Sequence, residues 1–443
     1  MPSDEPRRLR GLLALAALLA ALAADSAGRA AFAERAPGAA DDAGLTAGTG
    51  RGSIDPAATA FPIRNGSDSP LIGIHDPLEA RALVVQQPPS KAILVVLDTI
   101  VVLDEFYEEV VGVLATRYST PRDHIWIAAT HTHTVPWTMD SGYRAIVVAG
   151  ILSAVDQAAR RLEPVRVGIG RGAAYININR DERTPTGFIL GQDPEGASDK
   201  SVRVAAFYRA DGTPLAILAN YAVHAVSLYS SDTAGDRSAY VSADIPGVVN
   251  RFVDAHYGPA HTETLWTSGA AGEQNPILMS FHAEPGSDGR VVTSDMKAAG
   301  FMVTQRLGQA LALEIVRVVD RIAPERVTTP IRASQVIAEC PDKVDPALQR
   351  PLRISYLGIG PLDLIGVSGE VATLVDRHLR EGLGGRDPAV LTLTNGYSGY
   401  LPDEGSFGRG ETFEVSKAHV APGCAEQLIV EHAHALLRAV GTP

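Results

Sequence analysis

Very little in this chain is sulphur, aromatic or basic. Of 443 residues only two are cysteine, at 340 and 424, so there is no CxxC pair and no cysteine-rich metal knuckle. Aromatic residues are 6% of the chain. Lys+Arg number 39 against 51 Asp+Glu, a net charge of −12, which argues against a surface made to hold a phosphate backbone. No heptad run and no internal repeat is visible, which excludes coiled-coil and solenoid architectures. What is there is globular: 45% hydrophobic and 20% charged residues are enough for a sizeable core. Glycine at 42 and proline at 29 promise many loops.

The amino end reads as a targeting segment. Arg7, Arg8 and Arg10 precede Gly11–Ala24, an uncharged apolar run, and Ala21-Leu22-Ala23 fits a cleavage pattern. The run falls short of the about 20 residues that a membrane-spanning helix needs. Residues 1–24 are therefore expected to be a signal peptide of bacterial type and the mature protein to be secreted or periplasmic. Residues 25–60, rich in Ala, Gly, Asp and Thr, read as a flexible linker. Residues 61–443 show no break in composition and are expected to form one domain. In an exported protein Cys340 and Cys424 could pair or stay as buried thiols; their positions alone decide neither.

Within that domain the pattern is α/β. Ala92–Leu97 and Ile125–Ala129 are short apolar strands flanking an amphipathic helix at Asp104–Tyr118. That makes a βαβ unit, hence a parallel pair. Further strands are expected at Val165–Ile169, Leu215–Tyr221, Leu265–Thr267, Ile331–Ile337, Arg353–Ile359, Leu362–Val367 and Val390–Thr394. Mixed sheets with flanking helices follow. Four times an apolar strand delivers a polar group at its carboxyl end: His131 and His133, His224, Glu370, and Tyr397 with Tyr400. Such ends are where open α/β folds hold ligands.

His131 and His133 would share a face if their backbone were extended, and both rings could then approach one metal or one substrate. A pair of solvent-bonded loop histidines explains the same spacing. His224 sits among apolar residues and could be an ordinary buried imidazole. Glu370 could simply favour a helix start, and Tyr400 could be core. Together, two imidazoles and a carboxylate are a known catalytic zinc shell that keeps a position open for water. Zinc in such a shell acidifies water to a pKa of about 7 and polarises a carbonyl.

The motifs resemble those of neutral/alkaline non-lysosomal ceramidases, zinc enzymes that hydrolyse the amide of ceramide. The matching stretches are Gly73–Leu78 with Ala80–Leu83, Ala129–Thr134, Asn177–Arg180, Asn220–His224, Ser242–Gly247, Gly269–Pro276, Gly366–Glu370 and Asn395–Tyr400. All eight occur in the family's order. The resemblance implies zinc ligands at His131, His224, Glu370 and Tyr400, with His133 handling protons. It makes Arg180 a substrate-holding arginine. Three departures stand out. Asn275 takes the place of a family serine, leaving an amide donor for an oxyanion or hydroxyl. Phe413 takes the place of a tyrosine. No C-terminal immunoglobulin-like domain is expected in a chain of this length. The expected function is an exported zinc hydrolase of a ceramide-like N-acyl lipid or related acyl bond. The alternative is a weak or inactive relative that binds zinc and lipid. No nucleic-acid partner is expected, while peripheral membrane contact is compatible with a lipid substrate.

Overall fold

The computed structural model describes residues 44–67, 69–137, 141–258, 261–285 and 290–439. The expected leader and the first part of the expected linker lie outside them. Three mixed sheets carry most of the strands. The first runs, in spatial order, Ile125–Ala129, Ser90–Leu97, Glu79–Gln87, Thr46–Ser53 and Glu163–Pro164. The second runs Glu263–Ser268, Pro214–Tyr221, Ser201–Tyr208 and Arg166–Ala173. The third runs Arg332–Pro341, Gln349–Ile359, Leu362–Val367 and Ala389–Leu391.

Each of these sheets is antiparallel except for one parallel pair. The pairs are Ser90–Leu97 with Ile125–Ala129, Pro214–Tyr221 with Glu263–Ser268, and Leu362–Val367 with Ala389–Leu391. All six strands are almost wholly buried, which is why they read as unbroken apolar runs. The βαβ unit is as expected: helix Asp104–Tyr118 buries Phe106, Tyr107, Val110, Val111 and Leu114. Strands Gln274–Pro276, Asn177–Thr184 and Gly187–Asp193 make a smaller antiparallel sheet at the mouth of the site.

The expected linker needs a correction. Thr46–Ser53, inside it, is an interior strand of the first sheet, paired over eight residues with Glu79–Gln87. Its sequence TAGTGRGS looks like linker because alternate residues are glycine. Those glycines are a packing device. A Cβ at Gly48, Gly50 or Gly52 would lie 2.1–2.3 Å from backbone carbonyl oxygens of helix Ser141–Arg160. Bare backbone lets that helix rest directly on the strand.

Cys340 and Cys424 form a disulfide joining strand Arg332–Pro341 to helix Cys424–Ala439. Both sides of this bridge pack in one apolar cluster with Leu352, Ile354, Ile365 and Ile429.

Candidate metal centre

The parallel pairs converge on one place. His131 and His133 follow Ile125–Ala129, His224 follows Pro214–Tyr221, Asn275 follows Glu263–Ser268, and Glu370 follows Leu362–Val367. Tyr400 is brought in by a two-residue parallel bridge in which Glu370 and Tyr400 are direct partners. Sequence reasoning named these residues and the structure brings them together.

One premise of the sequence reading fails. His131 is not extended; its φ is +66°, in the left-handed region. The chain kinks there and is held by His131 N–H to the Thr99 carbonyl, His133 N–H to the Ala225 carbonyl and Thr132 Oγ1 to the Ser242 carbonyl. A non-glycine residue in that conformation costs on the order of 1–3 kcal/mol, which the surrounding contacts must offset. The two rings still meet, with centroids 4.6 Å apart and nearly perpendicular.

The imidazoles are not equivalent. His131 Nδ1 lies 2.7 Å from the Ile100 carbonyl oxygen, and His224 Nδ1 lies 2.7 Å from that of Ala271. A carbonyl cannot donate, so each Nδ1 carries the proton and each Nε2 presents a lone pair. Both lone pairs face the same carboxylate oxygen: Glu370 Oε2 is 3.3 Å from His131 Nε2 and 3.0 Å from His224 Nε2. Three acceptors thus converge, and a proton on one ring would satisfy only one of the two contacts. The donor set fits a divalent cation, with the backbone carbonyls fixing ring orientation from behind. The three imidazoles alone also have ligand atoms within 4.8 Å of one another. His133 differs in having no carbonyl anchor among the described residues: its Nε2 is 3.3 Å from His131 Nε2 and its ring packs edge-on against Tyr229.

Charge follows burial. Burial pushes the Glu370 carboxyl up, but the charge and N–H bonds that His131 and His224 supply as imidazolium, in place of a cation, outweigh it and hold the group well below the usual range. Burial, then Arg180 and His131, pushes His224 down to about 4. Burial and the neighbouring His131 and His224 likewise hold His133 well below its usual value. Burial, reinforced by Glu370, raises the Tyr400 phenol well above its ordinary value.

Arg180 lies behind Tyr400 and is buried. Its Nε donates to Glu414 Oε1 at 2.7 Å and Nη1 to Asn275 Oδ1 at 3.1 Å. Its Nη2 donates to the Gly272 carbonyl at 2.8 Å and to Tyr400 Oη at 3.1 Å. Four of its five N–H groups are therefore committed inside the protein. With its oxygen taken, Asn275 turns its amide nitrogen toward Met279 Sδ, 3.5 Å away. Glu273 accepts the Thr373 N–H on both oxygens and so caps helix Thr373–Arg380. Phe413 sits edge-on to Tyr400, ring centroids 5.6 Å apart, with the Arg180 guanidinium over its face.

Two contributors had no role in the sequence reading, which named Tyr397 only beside Tyr400. Tyr397 donates its hydroxyl to Glu370 Oε1 at 2.8 Å, fixing the oxygen that faces away from His224. It shares the Asn395–Tyr400 stretch with Tyr400, so the stretch was the signal. Glu414 neutralises Arg180 from a helix more than 200 residues away in sequence, and no local pattern announces that. Around the centre lies a cavity of about 490 Å³. Ile100, Trp137, Val226, Tyr229, Met279 and Phe281 give it an apolar wall, and His131, His133, Glu370, Tyr397 and Tyr400 line its floor.

Comparison with known proteins agrees with this geometry. Residues 67–264 match the model of the neutral/alkaline non-lysosomal ceramidase family, N-terminal region. A neutral ceramidase from Pseudomonas aeruginosa is 26% identical over 253 residues, covering 50% of this chain and 38% of the relative. The chain thus aligns with well under half the length of that relative. Two solved structures, a ceramidase complexed with C2 and the P. aeruginosa neutral ceramidase, superpose with TM-scores of 0.72 at 18% identity. They cover 89% and 91% of this chain, and 75% and 76% of their own chains are matched. The fold is that of the ceramidases.

Proposed function

Because the chain carries the neutral/alkaline non-lysosomal ceramidase family over residues 67–264, we propose that it is an exported zinc-dependent hydrolase of the amide bond in an N-acyl lipid. The observation that carries this is the convergence of His131 Nε2, His224 Nε2 and Glu370 Oε2, each acceptor-facing and two of them fixed from behind. Tyr400, 3.4 Å from His224 Nε2, would complete the donor set. A divalent cation held there supplies a Lewis acid for the scissile carbonyl and lowers the pKa of water.

The chain's own groups do the rest. His133, neutral and unanchored, takes the proton of the attacking water as its oxygen joins the carbonyl carbon. It then returns a proton to the nitrogen as the C–N bond breaks, releasing amine and carboxylate. The amide nitrogen of Asn275 is placed to donate to the oxygen on which charge develops. Arg180 positions Tyr400 and Asn275 more than it reaches for substrate, since only one N–H is left over. The apolar wall takes the acyl chain. Trp137 and Leu190, half exposed at the mouth, suit contact with a lipid surface. Export is supported by the leader-like amino end and by the Cys340–Cys424 disulfide.

A second reading rests on Asn275 and Phe413: a protein that binds metal and lipid without turnover. Metal analysis of the purified protein, with ceramide and other N-acyl amides offered as substrates, decides. About one metal per chain, lost in His224→Ala, with release of fatty acid from at least one amide, is expected. No stoichiometric metal and no effect of added zinc would sink the metal reading. Metal and lipid bound with no product would leave the binder.

A further inference from the structure

Among the described residues that line the central cavity, Glu370 at its floor is the one acid, in a chain where Asp+Glu outnumber Lys+Arg by 51 to 39. Its rim carries Lys417 and His419 instead. Lys417 ends the short helix Phe413–Lys417 and is exposed. Its ammonium lies over the Phe413 ring, 5.6 Å from the centroid, and no carboxylate pairs with it among the described residues. Several arginines of this protein, by contrast, are tied to acids. Arg180 is paired with Glu414, and Arg353 with Asp104 and Glu108. One phenyl ring separates the ammonium from Tyr400, because Phe413 is edge-on to it.

Asn275 faces the same cavity as a donor. Asn275 has spent its oxygen on Arg180 and offers its amide nitrogen. The apolar wall around Tyr229 lies on the His133 side of the centre, and the Phe413–Lys417 side lies beyond Tyr400. A substrate whose acyl chain follows the first wall presents its amine portion to the second.

We infer that Lys417 selects N-acyl substrates whose amine portion carries an anionic group, such as a carboxylate, close to the scissile amide. This rests on the amide-hydrolase reading above and narrows its substrate class. A cleft of one sign raises the local concentration of oppositely charged ligand, and an unpaired ammonium beside an apolar ring has no competing partner.

The probes are N-dodecanoyl glycine and the neutral N-dodecanoyl ethanolamine, which share a chain and differ in charge. Equilibrium binding and kcat/KM are measured for both on the full chain. The glycine conjugate is expected to be preferred roughly three- to tenfold, less at high salt, as for a partly exposed ion pair. Lys417→Met should bring the ratio near one, and Lys417→Glu should invert it. A Lys417-dependent binding preference without any turnover would sink the hydrolase reading and uphold the anion selectivity. Equal binding and equal turnover of the two probes in the native chain, or a preference that survives Lys417→Met in a folded variant, would overturn the inference and leave the hydrolase reading standing.

Discussion

Arg180 donates a hydrogen bond of 3.1 Å to the hydroxyl of Tyr400, and both groups are buried. The same guanidinium is ion-paired with Glu414, also buried. Tyr400 is therefore held by a chain of charge that reaches from the cavity floor into the interior. Removing one member strands the other. Arg180→Met should cost about 3–5 kcal/mol, because the Glu414 carboxylate is left buried without its partner. Adding Glu414→Gln should recover part of that loss. Chemical denaturation of the two single variants and the double variant measures the coupling. Strictly additive losses would show that the pair contributes nothing as a pair.

His133→Ala and His131→Ala should part company. His131 is oriented by a carbonyl and faces Glu370, whereas His133 has no such anchor. Loss of the His131 ring should remove metal; loss of His133 should leave metal bound and lower hydrolysis by roughly 10²–10⁴-fold. Metal content and rate, measured on the same preparations, check this. The reverse pattern would exchange the two roles.

Phe413→Tyr tests the departure from the family pattern. The ring lines the cavity, edge-on to Tyr400 and under Arg180. A phenol there gains a donor beside the reacting groups, and up to about 10²–10³ in rate is available if it reaches the developing oxyanion. No change in kcat with intact folding would mean that the ring serves only to pack Tyr400 and Arg180.

Asp98 provides a pH signature of stability. Burial pushes its pKa up to about 7, although its carboxylate accepts the Glu79 N–H at 2.9 Å. Between its ordinary value of 3.8 and 7 the folded chain holds a proton that the unfolded chain has lost. Asp98 therefore stabilises fully below pH 3.8, and that contribution fades as pH rises toward 7. Asp98→Asn keeps an acceptor for Glu79 and cannot ionise. Thermal unfolding from pH 4.5 to 8 should fall less steeply in the variant, by about 1–3 kcal/mol across the range. Parallel curves would show that Asp98 is ionised throughout.

The gathering of these side chains was largely legible because most of them follow an apolar run. Strands buried on both faces leave that mark in one dimension, and the next polar residues fall where the sheet ends. Strand Leu362–Val367 was readable to the residue, and helix Asp104–Tyr118 likewise. Two things were not. Thr46–Ser53 hides its strand because its packing requires glycine, the residue that strand statistics penalise. The kink at His131 is imposed by carbonyls of distant segments, and nothing beside it in sequence predicts a positive φ. Glu414 and Arg180 meet across 234 positions, a separation at which spacing says nothing.

The two-residue bridge between Glu370–Val371 and Tyr400–Leu401 makes two neighbours of the centre depend on registration rather than on chain length. Helix Thr373–Arg380 and strand Ala389–Leu391 hang between them as a loop that begins and ends at the same place. Residues could be inserted around Gly384–Gly385, where a side chain would meet nothing within 4 Å and before the ion-paired Arg386 and Asp387, and the carboxylate and phenol would still arrive side by side. A slip of one residue in the bridge itself would turn both side chains to opposite faces. The length of the glycine turn is thus decoupled from the centre, while the pairing of its two closing residues is not.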